Sequence, residues 1–200
     1  MNQKKEKFAS DTSGRSAADW ARALLVLLAG LTIAHLGVTL FLLSELGTDT
    51  FTVFIQGLSR LAGLTVGTVH VIVLCILMLL MLLTTKGYVK PVVCAFCGGP
   101  IIDLFTWLLG DWINVQSGMA VRIASMLLGC VILSCGMSVV INSNAGTGPN
   151  DLVAVILSDK IEAVQFRWVR VGCDLFFVVL GFLLGGTVGA GTVVAVFLTG

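Results

Sequence analysis

The chain has 200 residues, of which 57% are apolar and 12% are charged, and its formal net charge is +1. So few charged side chains cannot cover a soluble domain of this length, and the small net charge gives no sign of a nucleic-acid-binding surface. The mean hydropathy of +1.03 instead predicts helices in a lipid bilayer, where about 20 apolar residues cross the hydrocarbon core.

Apolar runs separated by short polar breaks predict an all-α, polytopic transmembrane protein. Residues 1–18 are polar and predict a disordered cytoplasmic tail. The apolar run that follows is too long for the core of a signal peptide. We expect spans over about residues 20–43, 66–83, 91–109, 119–141 and 168–184, and a sixth apolar segment after Gly191.

Two shorter apolar segments, at about residues 51–58 and 152–157, follow the first and the fourth span. Each is expected to be a half-helix or a re-entrant segment. Residues 19–110 then form one three-helix repeat, residues 111–118 a connecting loop, and residues 119–200 a second repeat. Because about ten helical residues rise only about 15 Å, we expect the sixth span to be incomplete and the second repeat to be truncated.

The two repeats are marked by related motifs, ELGTDTFTVFIQGLS and NAGTGPNDLVAVILS. An odd number of spans per unit means that the second unit enters the membrane from the opposite side, so the repeats are expected to be inverted. Inverted repeats are typical of transporters with a site where the repeats meet. Equivalent residues lie 99 positions apart: Gly30 and Gly129, Gly37 and Gly136, Gly47 and Gly146, Thr48 and Thr147, Ser59 and Ser158.

The distribution of lysine and arginine predicts the orientation, because cytoplasmic loops carry an excess of both. With a cytoplasmic N-terminus, the outer side holds only Arg60 and Arg122. The inner side then receives Lys4, Lys5, Lys7, Arg15, Arg22, Lys86, Lys90, Lys160, Arg167 and Arg170.

Several stretches resemble the YczE/YyaS/YitT family of bacterial integral membrane proteins: LGTDTFTVFIQGLSRLAGLTVGT, AGTGPNDLVAVILS with Arg170 after it, and LLGGTVGAGTVVAVFLTG. The resemblance covers nearly the whole chain beyond the tail and implies a protein of the bacterial cytoplasmic membrane. The family's motif reads glycine-proline followed shortly by an acid. The second copy keeps it as Gly148-Pro149-Asn150-Asp151, whereas the first copy departs from it with Asp49-Thr50-Phe51-Thr52.

The Gly-Thr motifs are the first candidate site, because each precedes a short helix whose N-terminus has free N–H groups for an anion or a carbonyl. The alternative is a capped interfacial helix that binds nothing. The residues expected to line a site are Thr48, Asp49, Thr147, Asn150 and Asp151.

Charged residues inside spans are the second candidate. Asp103 lies about 18 Å along the third span and is expected to be a coupling or selectivity group. Arg170 and Asp174 are four residues apart and predict a structural ion pair on one helix face. Asp103 and Asp174 could instead bracket a proton or cation path.

The remaining polar side chains favour structural roles. His35 and His70 are expected to be buried neutral side chains, although either could relay a proton. Cys94 and Cys97 form a lone C-x-x-C pair without a second pair of ligands, which favours packing over zinc binding. The glycines around Gly185 favour close helix packing. We therefore expect no metal, no cofactor and no enzymatic activity.

These features favour a small-solute transporter or permease with a midplane site at the repeat interface. Its partners would be the lipid bilayer and an unidentified small solute, and six helices around a pathway are compatible with a homodimer. The alternative is a non-transporting membrane scaffold or regulatory protein that acts through a partner.

Overall fold

The structure is a computed structural model that describes residues 16–84, 92–143, 153–154, 157–158 and 165–199. Within these ranges the secondary structure is helical, as the composition predicts. The helices, numbered in chain order, are α1 (Ala17–Ser44), α2 (Thr50–Ala62), α3 (Val66–Thr84), α4 (Val92–Leu109), α5 (Met119–Asn142), α6 (Phe166–Leu183) and α7 (Ala190–Thr199).

Length and composition suit two of the described helices, α1 and α5, to crossing a membrane. A third span results if α2 and the first part of α3 are counted together, although these two helices meet at an angle of 111°. The break between them is formed by Gly63 in the left-handed conformation and by Ser59, whose hydroxyl donates to the Leu64 carbonyl at 2.6 Å.

Helices α1 and α5 form the centre of the protein, and glycines bring their backbones together. A Cβ atom at Gly37 would lie 2.7 Å from the Gly129 carbonyl oxygen, and one at Gly30 would lie 2.9 Å from the Val140 side chain. Gly136 packs in the same way against Ala34. Small residues permit this close approach between apolar helices. The apolar core beside the contact is built from α1, α4, α5 and α7 around Phe41, Ile102 and Leu133.

Two further helix pairs use glycine contacts. Gly67 of α3 faces Gly99 of α4, and each would place a Cβ atom against the carbonyl oxygen of the other. Gly57 of α2 faces Gly181 of α6, where a Cβ atom on Gly57 would lie 2.6 Å from the Gly181 carbonyl oxygen. The contact holds the short helix α2 against α6.

The glycine-rich segment after α6 is only partly the packing element that its spacing predicts. Gly181 and Gly189 do contact other backbones, whereas Gly185 has open space around it and a φ of 91°. Gly185 therefore serves the turn that ends α6. Beyond this turn, Gly191 donates a hydrogen bond of 2.9 Å to the Leu46 carbonyl, which ties α7 to the first Gly-Thr motif.

Candidate functional site

A cavity of about 140 Å³ lies where the N-terminus of α2 meets α1, α3, α5 and α6. Most of its wall is apolar, with side chains such as Leu31, Val38, Leu74, Leu133 and Phe177. The described titratable and hydroxyl-bearing side chains that line it are His35, Asp49, Thr50, Thr52, His70, Arg170, Cys173 and Asp174. A group of ionisable side chains enclosed by apolar helices is costly to bury and typical of a functional site in a membrane protein.

Asp49 is the N-cap of α2. Its Oδ2 atom accepts a hydrogen bond of 3.1 Å from the Thr52 backbone N–H, and its Oδ1 atom lies 3.3 Å from the Thr48 hydroxyl that donates to it. Asp49 thus accepts a hydrogen bond from a backbone N–H group at the N-terminus of α2, where the sequence predicts that an anion or a carbonyl could bind. Thr48 is buried beside it but does not line the cavity.

Thr50 joins this helix start to the middle of α6. Its hydroxyl donates a hydrogen bond of 2.8 Å to Oδ1 of Asp174. On the other side, Arg170 Nε lies 3.6 Å from Oδ2 of Asp174, one helical turn away. The ion pair expected from the sequence is present, and it forms part of the cavity wall, with Arg170 and Asp174 only 30% and 23% exposed.

His35 and His70, which also line the cavity, contact each other. Their ring centroids are 5.5 Å apart in an edge-to-face arrangement. His35 Nδ1 lies 2.7 Å from the Leu31 carbonyl, which identifies that nitrogen as a donor and leaves Nε2 as the acceptor of the neutral ring. His70 Nδ1 is buried and has no hydrogen-bond partner among the residues that the structure describes. Gly98 makes room for both rings, since a Cβ atom there would lie 2.5 Å from His35 Nε2.

Asp103 lies apart from the cavity. Its carboxylate accepts hydrogen bonds from the Thr65 hydroxyl at 2.6 Å and from the Gly67 backbone N–H at 2.9 Å. Asp103, which belongs to α4, therefore caps the N-terminus of the neighbouring helix α3. The structure therefore does not bring Asp103 together with Asp49 and Asp174.

Thr147, Asn150 and Asp151, the candidates from the second motif, lie outside the described residues, as does the side chain of Cys94. Cys97 is half-buried on α4. Within the described ranges, no group of three or more histidine, cysteine, aspartate or glutamate side chains could hold a metal ion.

The sequence patterns indicate a site role for Asp49 and structural roles for His35, His70 and Arg170. The available signal was their position inside apolar helices, where an ionisable residue is by default a functional candidate. The sequence does not show that these side chains come together, because residues that meet in the cavity, such as Thr50 and Asp174, lie 124 residues apart in the chain.

The chain is 29% identical over 175 residues to the uncharacterized protein YyaS of Bacillus subtilis (strain 168), with 86% of this chain and 85% of YyaS covered. It is 28% identical to the uncharacterized membrane protein YczE of the same organism, with 86% and 79% covered. An uncharacterized protein of Haemophilus influenzae is 26% identical over 198 residues, with 96% and 87% covered.

No solved structure matches the chain. The similarity to YczE, together with long apolar helices, identifies a membrane protein and agrees with the resemblance drawn from the Gly-Thr motifs. The model of the family of unknown function DUF6198 matches residues 21–200. The chain therefore belongs to the DUF6198 family, with YyaS and YczE among its relatives.

Proposed function

We propose that the protein is a small-solute transporter of the bacterial cytoplasmic membrane and that the cavity at Asp49, Thr50 and Asp174 is its solute site. The observation that carries this proposal is the cavity itself, whose apolar helical wall holds, among the described residues, two carboxyl groups, a guanidinium group and two imidazoles. A protein that only anchors or scaffolds a partner has no need to bury these groups, each of which costs free energy in a bilayer.

The contacts between α1 and α5 support an inverted repeat. Gly30 faces Val140, and the residues 99 positions after Gly30 and Phe41 are Gly129 and Val140. Gly129 in turn faces Phe41, with a Cβ position 3.1 Å from the Phe41 backbone nitrogen. The contact of Gly30 with Val140 and the contact of Phe41 with Gly129 are therefore equivalent: each becomes the other when the first unit is replaced by the second and the second by the first. A two-fold axis between two three-span units requires such pairs of contacts.

A second exchange of this kind involves Gly37 and Gly136. Gly37 faces Leu133, and Gly136 faces Ala34, the residue 99 positions before Leu133. The cavity lies against this contact, since Ala34 and Leu133 both line it. A solute site beside the axis that relates two inverted units is the arrangement expected for alternating access.

The positions of two arginines support a cytoplasmic N-terminus. Arg122 donates to the Ser44 carbonyl at 2.7 Å and to the Glu45 carbonyl at 3.2 Å, while Arg60 Nη2 lies 3.9 Å from the Glu45 carboxylate. The two arginines that the charge distribution assigns to the outer side therefore meet at one end of α1. A lysine- and arginine-rich opposite side is expected to be cytoplasmic.

Flux measurements test the proposal. The purified protein in liposomes should accumulate at least one member of a broad panel of labelled small solutes, and Asp49→Asn should abolish this flux. The matched control is Asp111→Asn, an exposed acid in the connection between α4 and α5. The absence of flux for the whole panel, together with a reproducible co-purifying protein, would favour the scaffold alternative.

A further inference from the structure

We propose that the cavity binds a small protonated amine, with its ammonium group at the Asp49 and Asp174 carboxyl groups and its hydrocarbon part against the apolar wall. This inference rests on the proposed function and names the class of solute that the site accepts.

The formal charges of the cavity wall favour a cation. Among the residues that the structure describes, Asp49 and Asp174 supply two carboxyl groups, whereas Arg170 supplies one guanidinium group, and this group is already paired with Asp174. An anionic solute would bring a third negative group close to the two carboxyl groups, and like charges at this distance repel each other. An ammonium group would compensate the second carboxylate, in an environment where charge-assisted hydrogen bonds are strong.

His70 provides the second, independent indication of a ligand. Its side chain is 8% exposed and lines the cavity, yet Nδ1 has no hydrogen-bond partner among the described residues. A buried polar atom of this kind normally has a partner. The nitrogen of a neutral imidazole can accept a hydrogen bond from the N–H groups of an ammonium.

The size and lining of the cavity limit the organic part of the ligand. A cavity near 150 Å³ accommodates a molecule the size of benzene, so a volume of about 140 Å³ suits a ligand of about six heavy atoms. Phe51 and Phe177, whose rings are 5.3 Å apart, contribute aromatic surface to the wall. Aromatic rings attract organic cations through their quadrupoles.

Three compounds that share one hydrocarbon ring separate the effect of charge from that of shape. Cyclopentylammonium and cyclopentanol have the same number of heavy atoms, and cyclopentanecarboxylate carries the opposite charge. Binding of each to the full-length protein in detergent is measured by titration calorimetry. The inference predicts at least about tenfold tighter binding of cyclopentylammonium than of cyclopentanol, and weaker binding still of the carboxylate.

Substitutions in the cavity wall test whether Asp49 and Asp174 cause the preference for the amine. Asp49→Asn and Asp174→Asn should each reduce the affinity for cyclopentylammonium by at least about tenfold and change that for cyclopentanol little, whereas Asp111→Asn should leave both unchanged. Circular dichroism and gel filtration identify variants that do not fold. His70→Phe, which keeps an aromatic ring but removes both nitrogens, should also weaken amine binding.

Equal binding of amine and alcohol, or preference for the carboxylate, overturns the inference but leaves a solute site in the cavity. Binding of none of the three compounds overturns it as well, and the flux measurement then decides the proposed transport function separately. An amine preference that persists in both Asp49→Asn and Asp174→Asn would place amine binding elsewhere in the protein and also contradict the inference.

Discussion

The Thr50 hydroxyl donates a hydrogen bond of 2.8 Å to Asp174 and so fastens the N-terminus of α2 to the middle of α6. Asp49 lies beside this bond as the cap of α2, and Arg170 pairs with the other oxygen of Asp174. The N-terminus of α2 and the ion pair of α6 thereby form one polar wall. Neither sequence motif by itself indicates that the other lies beside it.

Thr50→Val should destabilise the protein, because valine keeps the shape of threonine but removes the hydroxyl that donates to Oδ1 of the partly buried Asp174 carboxylate. A hydrogen bond to a charged group contributes about 1.5–3 kcal/mol, and unfolding in detergent followed by circular dichroism measures the loss. The matched control is Thr32→Val, whose hydroxyl donates to the Leu28 carbonyl of its own helix. A change no larger than that of the control would show that the Thr50 bond contributes nothing to stability.

Gly99→Ala should force α3 and α4 apart, since its Cβ atom would be directed into the Gly67 carbonyl oxygen. Overpacking of this kind costs about 1–3 kcal/mol, and more where backbone atoms must move. Gly172→Ala, in open space on α6, should instead be neutral or stabilise by about 0.5–1 kcal/mol. Thermal unfolding of the two variants in one detergent tests the contrast, and equal midpoints would contradict it.

Arg122→Gln should weaken the end of α1. The guanidinium group donates to the Ser44 and Glu45 carbonyls, which otherwise lack partners within the helix, and its positive charge suits a helix C-terminus. We expect a loss of about 1–2 kcal/mol in the free energy of unfolding. Arg22→Gln, at an exposed position near the start of the same helix, is the control. A similar loss in both variants would argue for a general effect of charge.

Asp103→Ala should lower stability without altering the cavity. The change removes the acceptor of the Thr65 hydroxyl and the Gly67 N–H at the start of α3, at a cost of about 1–2 kcal/mol. The affinity for cyclopentylammonium should remain within about twofold of the original value, because Asp103 does not line the cavity. A loss of binding comparable to that of Asp49→Asn would restore the coupling role that its depth in the span suggests.

Helix positions could largely be predicted from the sequence because apolar runs and polar breaks reflect the cost of exposing polar groups to lipid. The fourth predicted span, 119–141, corresponds to α5 at Met119–Asn142. The segment predicted at 51–58 extends instead to Ala62. The helix continues past these apolar residues, and Arg60 near its end donates to the Gly185 carbonyl at 2.6 Å.

The site was predicted less completely than the helices. The N-cap signal located Asp49, and the four-residue spacing located the pair of Arg170 and Asp174, because both are local patterns. The meeting of His35 with His70 depends on Gly98 of a third helix, and no periodicity along the chain reports such a contact. The first motif, which departs from the family's pattern, supplies Asp49, Thr50 and Thr52 to the cavity, while the matching residues of the second motif lie outside the described ranges.

Transport through this cavity requires that water and solutes reach it within the membrane, and Cys173 allows a direct measurement because it lines the wall. A variant that retains only Cys173 is treated in membranes with 2-aminoethyl methanethiosulfonate, a small cation that reacts with hydrated thiolates. A variant that retains only Cys135, on the exposed face of α5, is the control. If the cavity is accessible in this way, Cys173 should be modified at least about tenfold faster than Cys135. Equal or slower modification of Cys173 would contradict this accessibility.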